Sequence, residues 1–143
     1  YTESLNREGI FGALRQRRCY ATTGERILLE FMIDELNMGE CGQRKQGQEV
    51  EIVLKVWGTE KLLRVDILRH QFGVDSSFIP VVSLSPKPES MDTLVTYQDT
   101  LDTSSVYYAR VLQEPLEWPA MAWSSPVWID VKKCLRIFQR VVG

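Results

Sequence analysis

The sequence predicts a mainly β protein, an antiparallel β-sandwich preceded by one α-helix, and three observations carry that prediction. Apolar residues recur at every second position in about seven short segments after Gly24, the pattern of strands with one buried face. Clusters of Gly, Pro, Ser and Asn separate these segments and supply the turns. Ahead of them lies a single stretch whose apolar residues keep helical spacing instead.

That stretch, "SLNREGIFGALRQRR", predicts a helix over residues 6–18. Asn6 is its N-cap, because an Asn side-chain oxygen accepts from a free N–H of the first turn. Leu5 and Ile10 have the spacing of a hydrophobic staple. Ile10, Phe11 and Leu14 form one apolar stripe, and Arg15, Arg17 and Arg18 suit the negative end of the helix dipole. A helix this short does not hold alone in water, so the stripe needs a partner, expected upstream of Tyr1. "CYATTG" then marks a handover from helical to strand grammar, placing a domain seam at Gly24 with Arg18, Tyr20, Thr22 and Thr23 as its candidate functional residues. A strand simply bonded into a sheet wall is the alternative for those four.

From there Ile27, Leu29, Phe31 and Ile33 share one face. "NMGECGQRKQGQ" reads as a polar, Gly-punctuated loop. In "EVEIVLKVWG", Val50, Ile52, Leu54 and Val56 oppose Glu51, Val53, Lys55 and Trp57; in "LLRVDILRH", Leu63, Val65 and Ile67 face inward. "FIPVVSL" is a strand whose Pro80, lacking an N–H, confines it to an edge or bulge. After the loop "SPKPESMD" come "TLVTYQD", "SSVYYARVLQ" and "SSPVWIDV". "LDTSSVYYARV" resembles the entry to the strand of immunoglobulin-like domains where a tyrosine hydroxyl ties the corner to the backbone, with Ala109 near the position of the antibody cysteine. The sandwich is therefore expected to be immunoglobulin-like. In the tail, Val131, Cys134, Leu135, Phe138 and Val142 share a helical face that Asp130 would cap, and a continuation of the last strand is the other reading.

The 143 residues, 44% apolar and 25% charged, suit a globular chain able to bury a proper core. A net charge of −2 argues against nucleic acid, which demands a dense basic surface. No apolar run approaches the roughly 20 residues that cross a bilayer, so no membrane partner is expected. The chain opens at Tyr1 without a methionine and is read as a fragment of a longer parent. Cys19, Cys41 and Cys134 have neither the spacing of a disulfide framework nor that of a zinc site.

Chemistry is sparse. His70 is the single histidine, and Asp66 and Asp75 beside it form no ligand motif. No nucleophile elbow or phosphate-binding Gly-rich loop occurs. No catalytic, cofactor-binding or metal-ligating residue is assigned. Trp57, Trp118, Trp123 and Trp128 are the candidate aromatic binding surface, a stacking platform for carbohydrate or protein; core packing or an interdomain contact explains them more cheaply, since large aromatics dominate buried area wherever they are enclosed.

"REGIFGALRQRRCYATTGERILLEF" together with "YYARVLQ" and "AWSSPVWID" resembles the C-terminal part of a bacterial family of unknown function related to PHP (polymerase and histidinol phosphatase) metallohydrolases. The resemblance implies that residues 1–23 end a metal-binding barrel, that 24–130 form an accessory sandwich and that 131–143 are a tail. It further implies a divalent metal held upstream in the parent, with none in this fragment. Residues 24–130 would then brace the barrel or support contacts with it, or with a second copy of the chain in a homo-oligomer.

Overall fold

In the computed structural model, residues 1–114, 118 and 120–132 are described. They form one helix, α1 (Arg7–Arg15), followed by eleven strands in two sheets, so the chain is mainly β as expected.

α1 begins where the sequence places it. The Asn6 side chain accepts from the Gly9 N–H at 2.7 Å, satisfying one orphan donor of the first turn. It ends three residues earlier than expected. Arg17 takes a left-handed conformation (φ 56°), and the Arg18 N–H donates to the Ala13 carbonyl while Arg17 N–H donates to Leu14. This is a Schellman stop made with arginine where glycine is usual. Leu5 is 93% exposed, so no staple with Ile10 forms.

The four-stranded sheet runs β3 (Leu36–Asn37), β2 (Leu28–Ile33), β5 (Gln48–Trp57), β8 (Asp92–Leu101). The expected inward sets Leu29, Phe31, Ile33 and Val50, Ile52, Leu54, Val56 are all fully enclosed. The second sheet holds seven strands but is five wide. β7 (Ile79–Leu84) pairs with β6 (Leu62–Gln71), and β6 with β9 (Ser105–Gln113). On the far side of β9 lie β10 (Ala120–Ser124) and β11 (Val127–Lys132) end to end, interrupted at Ser125–Pro126. Beyond them β1 (Tyr20–Thr22) covers β10, antiparallel, and β4 (Cys41–Lys45) covers β11, parallel. The core is the layer between the sheets.

Several expectations change. The segment read as a polar loop holds β4, whose Gly and polar residues alternate in exposure along an edge and so carry no apolar signature. Its glycine Gly42 allows close approach: a Cβ there would run into a Leu36 methyl. Leu62 rather than Leu63 is buried, because the β6–β9 register slips between Leu62 and Arg64. Asp130 and Val131 continue β11, so Asp130 caps no helix there; residues 133–143, with Cys134, Leu135, Phe138 and Val142, lie outside the described residues. Pro80 behaves as expected: β7 is an edge strand with a register irregularity opposite it.

Candidate functional site

The four seam residues divide. Tyr20 and Thr22 lie in β1, in register with Ser124 and Ala122. Thr23 exchanges bonds with Met121 of β10, its N–H donating to the carbonyl at 3.0 Å and its hydroxyl accepting from the Met121 N–H at 2.9 Å. Hydrogen bonding to β10 therefore continues up to Gly24, and these three residues are tied into the sheet wall. Arg18 differs. It stands where the Schellman turn throws the chain off the helix, and its Nε is enclosed with no hydrogen-bond partner among the described residues.

Arg18 lines a cleft of about 340 Å³ at the edge of β2. The cleft exists because β3 covers that edge only at Met32 and Ile33, leaving the earlier residues of β2 paired with β5 alone. Tyr1 closes part of the gap, its hydroxyl donating to the Leu29 carbonyl. Burial, then the Glu30 carboxylate, pushes the Tyr1 hydroxyl pKa up to about 12, so it stays a donor. Met32 and Met38 give apolar lining; Glu30, Glu40 and Asn37 give polar lining. Glu30 pairs with Lys55 at 3.4 Å, and Glu40 accepts from the Asn37 N–H at 2.8 Å. Among the described residues Arg18 forms an ion pair with neither acid.

The helical stripe is exposed: Ile10 49%, Phe11 56% and Leu14 57%, with Ala13 the helix's one buried residue. The four tryptophans do not share one sheet face. Trp57 (41% exposed) stands on the outer face of the four-stranded sheet, opposite in phase to buried Val56. Trp123 and Trp128 are half-buried on the outer face of the other sheet, Trp128 beneath the Arg17 guanidinium at 5.0 Å. Trp118, 86% exposed, lies between β9 and β10.

His70 packs edge-on to Phe72 (5.2 Å) and beside Phe78 (5.5 Å), with Nδ1 at 3.5 Å from the Ser77 carbonyl. Asp75 accepts from the Gln71 N–H at 2.8 Å. Among the described residues no three His, Cys, Asp or Glu side chains come together to hold a metal ion, and no helix is long and apolar enough to cross a membrane.

Two buried ionic clusters went unread in the sequence. Asp99 on β8 accepts from Arg69 Nη1 through both oxygens (3.0 and 2.9 Å), from the Tyr107 hydroxyl (3.0 Å) and from the Thr100 N–H (2.9 Å). It links the two sheets. The expected tyrosine corner thus ends on a carboxylate rather than the backbone. Burial, then Asp99, raises the Tyr107 pKa; burial works against the Arg69 charge, but Asp99 outweighs it and raises that pKa also. On the outer face, Asp66 accepts from Arg110, Ser83 and Arg64. Burial opposes its charge, yet these donors hold its pKa below the ordinary value. The available signal was phase: Arg69 continues the inward set Val65, Ile67, and Asp99 the set Val95, Tyr97.

No protein-family model matches the chain. It is 36% identical over 135 residues to an uncharacterised protein of Chlamydia trachomatis, and 35% identical over 135 residues to one of Chlamydia muridarum. Each match takes in 88% of this chain, which spans only 21% of either relative's length. A solved structure of superoxide reductase (neelaredoxin) from Ignicoccus hospitalis matches with a TM-score of 0.52 at 15% identity, covering 76% of this chain and 83% of that one. At that identity the likeness is one of fold. Among the described residues the donor set does not assemble a redox metal centre either: His70 sits among aromatics, Cys19 lies 3.7 Å from the Ser125 hydroxyl and Cys41 is exposed on β4. These findings overturn the resemblance to PHP-related metallohydrolases and the reading of the chain as their accessory sandwich. The motif that carried it, helix plus "YATTG", leads here into β1, a strand of the chain's own sheet.

Proposed function

We propose that the chain is an interaction domain within a larger polypeptide, a β-sandwich that packs against the rest of its own protein through the α1 stripe. The observation that carries this is the exposure of Ile10, Phe11 and Leu14 together on a helix whose one buried residue is Ala13. Three large apolar side chains on one short helix form a patch of the kind that marks an interaction site. That the chain spans only 21% of its relatives' length supports a partner lying within the same polypeptide. Substituting Ile10→Glu and Leu14→Glu tests the reading. The 143-residue chain should keep its melting temperature, since surface changes away from special features cost within about 0.5 kcal/mol. The long polypeptide carrying the same changes should melt several degrees lower. Equal melting of the substituted and unsubstituted long polypeptide would refute the docking role.

A further inference from the structure

A bare sheet edge presents unpaired N–H and C=O groups and invites another strand, so folds usually blunt their edges. Most edges of this sandwich are blunted. β7 carries Pro80 and a register irregularity, β1 and β3 are three and two residues long, and β4 carries Gly42, Arg44 and Lys45. β8 has none of these features. It runs ten residues, Asp92–Leu101, without Pro, Gly, Lys or Arg. It pairs on one side only, with β5, in unbroken register from Asp92 opposite Trp57 to Leu101 opposite Gln48. Its inward charge, Asp99, is taken up by Arg69 and Tyr107 and does not guard the edge.

The open backbone groups can be assigned. The Gly58 N–H donates to the Met91 carbonyl, and in antiparallel pairing alternate residues bond to the same neighbour. Odd-numbered residues therefore bond to β5, while Asp92, Leu94, Thr96, Gln98 and Thr100 turn their backbone groups to the bare edge. The Asp92 carbonyl accepts from the Ser90 hydroxyl, and the Thr100 N–H donates to the Asp99 carboxylate. Among the described residues, Leu94, Thr96 and Gln98 keep both groups open. We propose that β8 pairs antiparallel with β8 of a second copy of the chain, about a two-fold axis through Thr96, joining two four-stranded sheets into one. Leu94 then meets the partner's Gln98 and Thr96 meets its own counterpart, which engages every open group of these residues. On the inner face Val95 meets the partner's Tyr97; aromatic against β-branched and Thr against Thr are favourable cross-strand pairs. Asp92 meets the partner's Thr100, so no like charges oppose one another. An axis through Tyr97 would set Asp92 against the partner's Asp102, and one through Val95 would carry Thr100 past the end of the partner strand. An axis between residues would set inward side chains against outward ones. The edge is thus complementary to itself, which selects a second copy as its occupant.

One added strand pairing is a small interface, below about 1,200 Å², so a dissociation constant on the order of 10–100 µM is expected. All chains in the test carry Ile10→Glu and Leu14→Glu, which removes association through the helix stripe. Sedimentation equilibrium should then show the 16.5 kDa chain doubling its mass over that range. Thr96→Lys and Thr96→Glu each set like charges together at the axis and should weaken dimerisation at least about tenfold. Thr96 is exposed, so both variants should fold. An equimolar mixture of the two should recover the dimer, because Lys then faces Glu. Amide exchange should slow with concentration at Leu94, Thr96 and Gln98, and not at Val95 or Tyr97, which already bond to β5. A chain that stays monomeric to about 1 mM, as it would if this edge awaited a strand of the longer polypeptide, overturns the proposal. So does undiminished dimerisation of Thr96→Lys, or a mixture of the two variants that stays monomeric.

Discussion

Asp99 joins the two sheets through several bonds at once, accepting from Arg69, Tyr107 and the Thr100 N–H. Removing one donor and removing the acceptor should therefore differ in cost. Tyr107→Phe deletes one bond to a charged group, worth about 1.5–3 kcal/mol. Asp99→Ala leaves the Arg69 charge between the sheets without its partner, a loss of about 3–5 kcal/mol. Chemical denaturation of the two variants checks the order, and equal losses would contradict it. Asp66 makes a prediction in pH. Its folded pKa lies below the unfolded value of 3.8, so its contribution is fully present above that value. The contribution is lost as pH falls through the lower, folded pKa. The Asp66→Asn variant should accordingly show a shallower fall of stability below pH 3.8 than the unsubstituted protein, read from urea midpoints across an acid series.

At the scale of elements, the turn between β3 and β4 sets where the end of α1 can rest. Gly39 has φ 92°, and a Cβ there would collide with the Arg17 carbonyl oxygen. Arg17 also donates from Nε to the Gly39 carbonyl at 3.3 Å, so helix exit and the β3–β4 connection are fastened face to face. Gly47, at φ 78° in the β4–β5 turn, has open space around it. Both Gly→Ala changes carry a backbone cost of about 1–2 kcal/mol. Gly39→Ala must in addition displace the Arg17 carbonyl, and so should destabilise clearly more than Gly47→Ala in parallel melts. The cap is a separate contribution: Asn6→Ala should cost about 1 kcal/mol. Strands with one buried face were legible where their inward residues alternate regularly, as in Val50, Ile52, Leu54 and Val56. β3 and β4 were not, because these two- and five-residue edge strands owe their conformation to β2 and β11 rather than to their own pattern, whereas a strand bonded into a sheet wall was one of the two readings of the segment that forms β1.

For the whole molecule, period and turn spacing sufficed to give a sandwich preceded by a helix, and that is the architecture found. The cleft was beyond reach of the sequence, since it is assembled from α1's exit, the bare β2 edge and the β3–β4 turn, which meet only when the sheets stack. Arg18 was singled out as a seam residue, and it is the member of that set whose side chain is left over by the fold. The stripe of Ile10, Phe11 and Leu14 was legible as apolar spacing, and the fold leaves it open to solvent.

The proposed docking of that stripe within a longer polypeptide is tested most directly by hydrogen exchange across Arg7–Arg15, comparing the 143-residue chain with a polypeptide that spans the length of its relatives. Slower exchange of these amides in the longer polypeptide, with β5 and β6 amides unchanged, is the predicted result. Identical exchange of the helix in both would contradict it.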